Sequence, residues 1–340
     1  MSDIDEQMMK RCLRLAKNGL GMTYPNPMVG CVIVHNKKII GEGWHRKAGE
    51  AHAEVIAVNT VRNKKLLNES ELYVSLEPCA HHGKTPPCSD LIIQHNFKRV
   101  IVGAIDPNSK VRGLGIEKMR SAGLQVKTDV LEKECSELNK RFFCFHQNKR
   151  PYIILKWAQT ADGFMAPENA KQRWISNVYS KQLVHLWRSQ EQAILVGYNT
   201  AKIDNPQLNL RHWSGNPPVR LVIDRDLSLD KQLYLFDKTQ PTFVFSAVKS
   251  TERTDVIPLN FDELLEESIL NELYKSGIQS VIIEGGRRTL DGFVHKHLWD
   301  EARVLSSTVE WGSGIKAPKI GGKLISQKEI GGDMLKILKR

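Results

Sequence analysis

The spacing of apolar residues along the chain predicts helices and strands in alternation. Near the start, apolar side chains recur at helical intervals from Ile4 to Ala16, which is typical of a helix packed on a core. The run 29–34, the polar tip 35–38 and the apolar pair 39–40 predict a hairpin. Other elements predicted before residue 150 are helices at 51–66, 89–95 and 114–122, and strands at 72–76, 100–104 and 124–126.

The same alternation restarts after Pro151. The predicted strands there are 152–156, 193–196, 219–223, 242–245 and 281–283, the predicted helices are 176–189 and 261–275, and the tail 334–338 is predicted as an edge strand. Strands that alternate with helices indicate mostly parallel sheets covered on both faces. The pattern therefore predicts an α/β fold class.

The domain boundary is predicted where a polar segment ending in proline follows an aromatic cluster. That segment, 147–151, is expected to be a linker between a first domain at 1–146 and a second at 152–340. A length of 340 residues agrees with two domains, since single cores seldom grow that large.

The composition is that of a soluble globular protein, with 41% hydrophobic and 26% charged residues. No window approaches the roughly 18 uncharged apolar residues of a transmembrane helix, and the acidic start does not resemble a signal peptide. We therefore expect a cytoplasmic protein that acts away from membranes. In that reducing compartment its six cysteines would be thiols or metal ligands.

The net charge of +11 is concentrated in the first 150 residues, which carry +8. A basic half attracts anions, and these could be nucleic acid or a small phosphorylated substrate. The basic residues are scattered and form no run longer than a pair. This distribution favours the small anion.

The strongest chemical signal is a set of metal-binding residue types in the first domain. His52 and Glu54 form a His-x-Glu motif, and Pro78-Cys79 and Cys88 follow after a predicted strand. An imidazole and two thiolates suit a catalytic zinc ion, which leaves a fourth position for water and acidifies it to hydroxide near neutral pH. In zinc nucleobase deaminases the glutamate of this signature transfers the proton and does not bind the metal.

The spacing of the two cysteines departs from that signature, because eight residues separate them instead of two. The intervening segment, 80–87, is expected to form a loop that carries His and Lys side chains over the metal. The other cysteines occupy apolar positions and are predicted to lie in the core: Cys12, Cys31, Cys135 and Cys144.

Several segments closely resemble the bifunctional deaminase/reductase family of riboflavin biosynthesis. They are PNPMVGCVI at 25–33, AGEAHAEV at 48–55, SLEPCAHHGKTPPC at 75–88, DPN at 106–108 and GLG at 113–115. The resemblance implies a cytidine-deaminase-like α/β/α domain followed by a dihydrofolate-reductase-like α/β domain. It implies one catalytic Zn²⁺ held by His52, Cys79 and Cys88, with Glu54 moving the proton.

The implied activity has two steps. The first is zinc-hydroxide hydrolytic deamination of 2,5-diamino-6-(phosphoribosylamino)pyrimidin-4-one, and the second is NADPH-dependent reduction of the ribosyl group to ribityl. The substrate partner would thus be a small phosphoribosylated pyrimidine. We expect neither nucleic acid nor membrane as a partner, and we expect a homo-oligomer formed through the reductase domain.

In the second domain, a predicted strand runs into Gly285-Gly286 and then a helix, an arrangement that can bind phosphate. It is not a G-x-G-x-x-G motif, so a Rossmann domain is not expected. The segment KWAQTADG at 156–163 resembles the first strand and turn of the family's reductase domain. The resemblance implies that NADPH contacts Ala158, Trp174, Thr200, Asp204, Gly285, Gly286 and Arg287. It implies that the substrate contacts Arg188, Leu208, Arg211, Glu284 and Gln172.

Three positions depart from the family pattern. Gln172 stands where the family typically has a substrate-contacting serine, Asn205 replaces the second Asp of an Asp-Asp-Pro motif, and Ser109 replaces a proline.

Two other functions compete with the family's. One is a tRNA base deaminase with an accessory binding domain, and the other is a zinc-stabilised binding module without catalysis.

Overall fold

The computed structural model describes residues 3–81, 86–109, 111–168, 175–251 and 253–340. The chain divides into two compact units, Met1–Lys149 and Arg150–Arg340. The predicted linker, 147–151, spans this division. Within the described ranges, we find no helix whose length and apolar character would let it cross a bilayer.

The first unit is built on a mixed sheet. Its strands are β1 (Gly30–His35), β2 (Lys38–Trp44), β3 (Glu71–Leu76), β4 (Arg99–Ala104) and β5 (Val126–Lys127). The described strands lie in the order β2-β1-β3-β4-β5, with β1 antiparallel to both neighbours and β3, β4 and β5 parallel. The expectation of a mostly parallel sheet was therefore wrong here, because the tight hairpin at Asn36-Lys37 reverses the chain with positive φ at both residues.

Helices cover both faces of this sheet. They are α1 (Asp3–Ala16), α2 (Ala53–Thr60), α3 (Cys88–Gln94), α4 (Leu114–Ser121), α5 (Glu132–Leu138) and α6 (Lys140–Asn148). Successive strand residues point to opposite faces. Cys31 and Ile33 accordingly belong to the apolar cluster with α2, α3 and α4, whereas Val32 belongs to the cluster with α1, α5 and α6. The result is the predicted α/β/α layering.

Two helical predictions differ from the structure. The helix predicted at 51–66 ends at Thr60, and a 3-10 helix, Lys64–Glu69, follows after Asn63, whose side chain accepts the Lys65 backbone N–H. The helices α5 and α6 were not predicted. The four cysteines predicted to lie in the core are indeed buried.

The second unit contains a longer sheet. Its strands are β6 (Tyr152–Gln159), β7 (Phe164–Ala166), β8 (Ala193–Val196), β9 (Val219–Ile223), β10 (Thr242–Ser246), β11 (Val256–Pro258), β12 (Ser280–Ile283), β13 (Glu301–Ser306), β14 (Ile315–Lys316), β15 (Lys323–Ile330) and β16 (Asp333–Lys339). The described strands of the main sheet lie in the order β11-β10-β9-β8-β12-β6-β13-β16-β15. Pairing is parallel from β11 to β13 and antiparallel beyond it.

The predicted tail strand exists, but it is not at the edge. Strand β16 lies between β13 and β15, and the edge is β15, which was not predicted.

Helices of this unit are α7 (Val178–Gln190), α8 (Tyr198–Asp204), α9 (Leu265–Lys275) and α10 (Arg287–His295). Residues of β8 alternate between two apolar clusters, with Leu195 in one and Ile194 in the other, so both faces of the sheet are covered.

The carboxyl ends of β6, β8 and β12 lie along one edge of this sheet. Ile283 is in register with Leu155 of β6 and with Leu195 of β8. The residues that follow β8 and β12 therefore meet Lys156 of β6 at that edge, which is where ligands bind in open α/β sheets.

Candidate active sites

The first unit brings the three predicted metal ligands together. His52 immediately precedes α2, Cys79 follows β3, and Cys88 is the first residue of α3. One ligand atom from each lies within 4.8 Å of the others. The backbone N–H of Cys88 donates to the Cys79 sulfur at 3.3 Å, which fixes the two cysteines relative to each other.

The spacing of these atoms suits a tetrahedral zinc ion. Nδ1 of His52 lies 3.3 Å from Sγ of Cys88 and 3.6 Å from Sγ of Cys79. Zn–N and Zn–S bonds of ordinary length at a tetrahedral angle place nitrogen and sulfur about 3.6 Å apart. The donor set, one imidazole and two sulfurs, is also the one zinc favours.

The charge state of the sulfurs is also suited to metal binding. A hydrogen bond from the Cys88 thiol, together with His52, lowers the pKa of Cys79 to about 4. The adjacent Cys79 thiolate and burial raise the pKa of Cys88. Because metal ligation requires deprotonated sulfurs, a zinc ion at this position would be held by two thiolates.

Glu54 lies in the first turn of α2, two residues after His52, and is 3% exposed. Burial raises the pKa of its carboxyl group, although the positive charge of His52 opposes this shift. A carboxyl group that changes protonation closer to neutrality can accept and return a proton more readily.

A second histidine, His45, lies beside the metal ligands. Its ring is buried and meets the His52 ring edge-on at 5.3 Å between centroids. Nδ1 donates to the Ala51 carbonyl, which leaves Nε2 to accept from the Asn26 amide at 3.0 Å. Burial lowers the pKa of His45, which favours the neutral form of the ring. Its position directly after the predicted hairpin leads us to expect that His45 lines the pocket beside the metal.

In the second unit, a buried carboxylate joins two cations at the sheet edge. The Glu284 carboxylate accepts from Arg188 through both oxygens, at 3.1 and 2.9 Å, and lies 3.6 Å from the Lys156 ammonium. Burial would raise the pKa of Glu284, but Arg188 and Lys156 outweigh it and lower the pKa to about 2. Burial in turn lowers the pKa of Lys156.

Lys156 was missing from the predicted contacts, although its strand was predicted. The signal that could have found it is a lysine in an otherwise apolar buried strand, which demands an anionic partner. Glu284 follows the neighbouring strand β12 in the matching register.

Arg211 lies near this cluster, at the end of a segment held by His185 and Arg188. Nδ1 of His185 accepts the Arg211 backbone N–H at 3.3 Å, and Arg188 donates to the Asn209 carbonyl at 3.4 Å. Burial and the neighbouring cations, Arg188 first among them, lower the pKa of His185 to about 4. Leu208, predicted as a substrate contact, is buried, with φ of +50°.

The ends of β8 and β12 approach each other through glycines. A Cβ on Gly285 would lie 2.8 Å from the Gly197 backbone nitrogen, and one on Gly197 would lie 2.3 Å from Oγ1 of Thr289. We call these residues the glycine junction. Gly286 caps α10, and a Cβ there would lie 3.1 Å from Oγ1 of Thr200.

The amino end of α10, beside the glycine junction, could hold a phosphate. The first backbone N–H groups of a helix have no partner within it and favour an anion. At Gly197 and Gly285 the missing side chains leave room for the neighbouring backbone and for Thr289, so these glycines let the two strand ends approach each other.

The remaining predicted cofactor contacts lie on other elements of this unit. Asp204 ends α8, and burial raises its pKa. Ala158 lies half-buried on β6. Arg287 is engaged within the protein: it pairs with Asp291 and donates to the carbonyls of Lys316 and Ala317. Gln172 and Trp174 lie outside the described residues, as does segment 82–85 of the loop between the cysteines.

Comparison with known proteins assigns both units. Residues 2–104 match the family described as the cytidine and deoxycytidylate deaminase zinc-binding region, and residues 151–330 match the RibD C-terminal domain. The riboflavin biosynthesis protein RibD of Aquifex aeolicus is 37% identical over 96% of this chain and 93% of its own length. The chain belongs to the RibD family.

Other relatives agree. RibD of Actinobacillus pleuropneumoniae is 41% identical over 84% of this chain and 78% of its own. The structure of Acinetobacter baumannii RibD is similar at a TM-score of 0.91, with 32% identity, 99% coverage of this chain and 98% of that one. The structure of the Thermotoga maritima deaminase/reductase is similar at a TM-score of 0.89, with 36% identity, 99% coverage of this chain and 98% of that one.

Membership in the RibD family confirms the fold class and function expected from the resemblance. The chain is a bifunctional enzyme of riboflavin biosynthesis, with a zinc-binding deaminase unit and an NADPH-dependent reductase unit. A small phosphoribosylated pyrimidine substrate fits this role. The alternative of a tRNA base deaminase with an accessory domain is not favoured, because the second unit matches a reductase domain.

Proposed function

We propose that His52, Cys79 and Cys88 hold the zinc ion of the deaminase, and that Glu54 transfers the proton in hydrolysis. The observation that carries this proposal is the close approach of the three ligand atoms, within 4.8 Å, beside a buried carboxyl group. The substrate would be 2,5-diamino-6-(phosphoribosylamino)pyrimidin-4-one.

The bound zinc supplies polarisation of a water molecule, so that hydrolysis proceeds near neutral pH. Glu54 would take up the proton that hydrolysis releases and deliver it to the amino nitrogen that leaves as ammonia. Its raised pKa suits both halves of this transfer. The amino termini of α2 and α3, at His52 and Cys88, add a positive potential that favours thiolates.

For the reductase, we propose that Arg188, Leu208, Arg211 and Glu284 hold the substrate, and that Gln172 contacts it. NADPH would contact Ala158, Trp174, Thr200, Asp204, Gly285, Gly286 and Arg287. The cofactor supplies a hydride that converts the ribosyl group to ribityl. Glu284, fixed by Arg188 and Lys156, offers oriented oxygens to the sugar hydroxyls, while the planar guanidinium of Arg211 suits the substrate phosphate.

Changing Cys88 to Ser should release zinc and abolish deamination, because a serine hydroxyl is a far poorer ligand than a thiolate. NADPH oxidation with deaminated substrate should stay within about twofold of wild type. Metal analysis and the two separate assays measure these effects. Cys144→Ser, which alters a buried cysteine outside the ligand set, is the matched control. Retained zinc in Cys88→Ser would contradict the ligand assignment.

Changing Arg211 to Ala should raise KM for the phosphorylated substrate by about 10- to 100-fold, since a hydrogen bond to a charged group contributes roughly 1.5–3 kcal/mol. KM for NADPH should change by less than about twofold. Steady-state kinetics with each substrate varied in turn gives both values. Arg225→Ala removes an exposed arginine of the same unit and serves as the control. Equal increases in both KM values would refute the phosphate role.

We also propose a homo-oligomer formed through the reductase unit. Among the described residues, the large apolar side chains that are at least half exposed all belong to that unit: Val178, Tyr179, Leu264, Val309 and Leu324. Exposed apolar side chains favour association where they form a contiguous patch. A monomeric mass by light scattering of the intact chain would exclude it.

A cytoplasmic location without nucleic-acid or membrane partners completes the proposal. All six cysteines are described and free of disulfides, as thiolate ligands and buried thiols require. Recovery of the protein in a membrane or nucleic-acid fraction of the cell would contradict it.

A further inference from the structure

Glu77 is a buried carboxylate that the deaminase chemistry leaves without a role. It directly follows β3 and is 7% exposed. One oxygen, Oε2, accepts the backbone N–H groups of Asp106 and Gly113 at 3.2 and 2.9 Å. The other, Oε1, accepts those of Gly115 and Ile116 at 2.9 and 3.4 Å. Four N–H donors on one carboxylate make a strong, charge-assisted anchor.

These bonds close a loop at its base. Residues 106–109 and 111–113, which we call the closing loop, lie between the end of β4 and the start of α4. Its first and last residues donate to the same oxygen of Glu77. Because β3 and β4 are parallel neighbours, Glu77 and the start of the closing loop lie at the same edge of the sheet.

The closing loop lies beside the metal ligands. Glu77 precedes Cys79 by two residues, and a Cβ on Gly115 would lie 2.0 Å from the carbonyl oxygen of the intervening Pro78. Burial raises the pKa of Asp106 to about 6, and the charges of His81 and Cys79 also act on this carboxyl group. The side chain at the start of the closing loop is therefore within electrostatic reach of the site.

We propose that Glu77 is a positioning residue of the deaminase: by holding the closing loop beside Cys79, it fixes one wall of the substrate pocket. Substrate affinity depends on these hydrogen bonds, whereas zinc binding does not. The inference rests on the proposed deaminase site. A residue that only stabilised the fold would change the melting temperature and leave KM unaltered.

The first test is Glu77→Gln, which keeps the shape but replaces one accepting oxygen with an amide group that cannot accept. We expect KM of deamination to rise about tenfold and kcat to stay within about twofold. Zinc content should stay at the wild-type level. Hydrogen exchange of the amides at 106, 113, 115 and 116 should accelerate in the same variant.

Asp224→Asn is the matched control in the other unit. The Asp224 carboxylate accepts the backbone N–H groups of Ser228 and Leu229, so it anchors a turn in the same way. This change should leave the deaminase KM at the wild-type value.

A second pair of variants tests the closing loop without touching Glu77. Gly113 and Gly123 flank α4 with φ of +81° and +88°, and a Cβ on either would meet no atom within 4 Å. Alanine therefore introduces similar backbone strain at both positions. Only Gly113 donates to Glu77. We expect KM to rise in Gly113→Ala and to stay unchanged in Gly123→Ala.

The outcomes separate clearly. If Glu77→Gln does not fold, the glycine pair decides. The proposal is overturned if both glycine variants have the same KM, or if Glu77→Gln loses zinc or exchanges faster at an unchanged KM. A wild-type chain without zinc-dependent deamination would refute the proposed deaminase site itself, which is a different failure.

Discussion

Changing Glu54 to Gln should lower kcat of deamination by about 10²- to 10⁴-fold, the range typical for the loss of a general acid–base group. The amide has nearly the same volume, but it cannot accept a proton from water or return one to the leaving amino nitrogen. Because Glu54 is outside the set of ligand atoms, zinc content should not change. Reductase activity, measured with deaminated substrate, should also be unaltered.

The control for this variant is Glu50→Gln, which removes a neighbouring carboxylate that lies before α2 and is exposed. Metal analysis, a deaminase assay and NADPH oxidation on each protein complete the comparison. Wild-type turnover in Glu54→Gln with zinc retained would remove the proton-transfer role. It would then favour a metal centre that serves structure alone.

The second large effect is expected in the reductase unit. Changing Glu284 to Gln should lower the free energy of unfolding of this unit by about 3–5 kcal/mol, since breaking a buried ion pair leaves an uncompensated charge. In this variant Lys156 can lose its positive charge by releasing a proton, but Arg188 cannot. The Arg188 guanidinium is therefore the charge that stays buried without its carboxylate. Chemical denaturation followed by tryptophan fluorescence measures the change, because Trp157 and Trp187 lie in this unit.

The pH dependence of unfolding provides the check on this variant. The pKa of Glu284 is lowered to about 2 in the folded chain, so the unfolded chain binds the proton first as pH falls. Its stabilising contribution is therefore present above about pH 4.5 and is lost towards pH 2. In Glu284→Gln, the free energy of unfolding should therefore fall less steeply with decreasing pH over this range. A variant with wild-type stability and the same slope would show that the carboxylate is not ionised in the fold.

The residues that the sequence located best are those whose chemistry is local in the chain. His52 and Glu54 share one helical turn, and Cys79 and Cys88 flank one loop, so a motif describes them. The cluster around Glu284 was different, because Lys156 and Arg188 reach it from another strand and from α7. The strand register brings Lys156 to Glu284, and the packing of α7 brings Arg188 there. The spacing of apolar residues carries neither piece of information.

The missed strands have related causes. In β13, Glu301 and Arg303 are buried and paired with each other, so charged residues occupy positions that an apolar pattern would fill. Strand β15 is exposed along nearly its whole length and needs no apolar face.

The helix predicted at 51–66 was too long because apolar residues continue past Thr60 into the 3-10 helix. Periodicity does not distinguish the two.

The glycine junction has a practical consequence for attempts to exchange NADPH for NADH. The gap between the ends of β8 and β12 is set by backbone atoms and by Thr289, so a larger side chain at Gly197 or Gly285 would force the strands apart. Redesign of coenzyme preference should therefore leave these positions untouched. It should begin instead with the polar side chains around them, where a change of charge does not require the sheet to move.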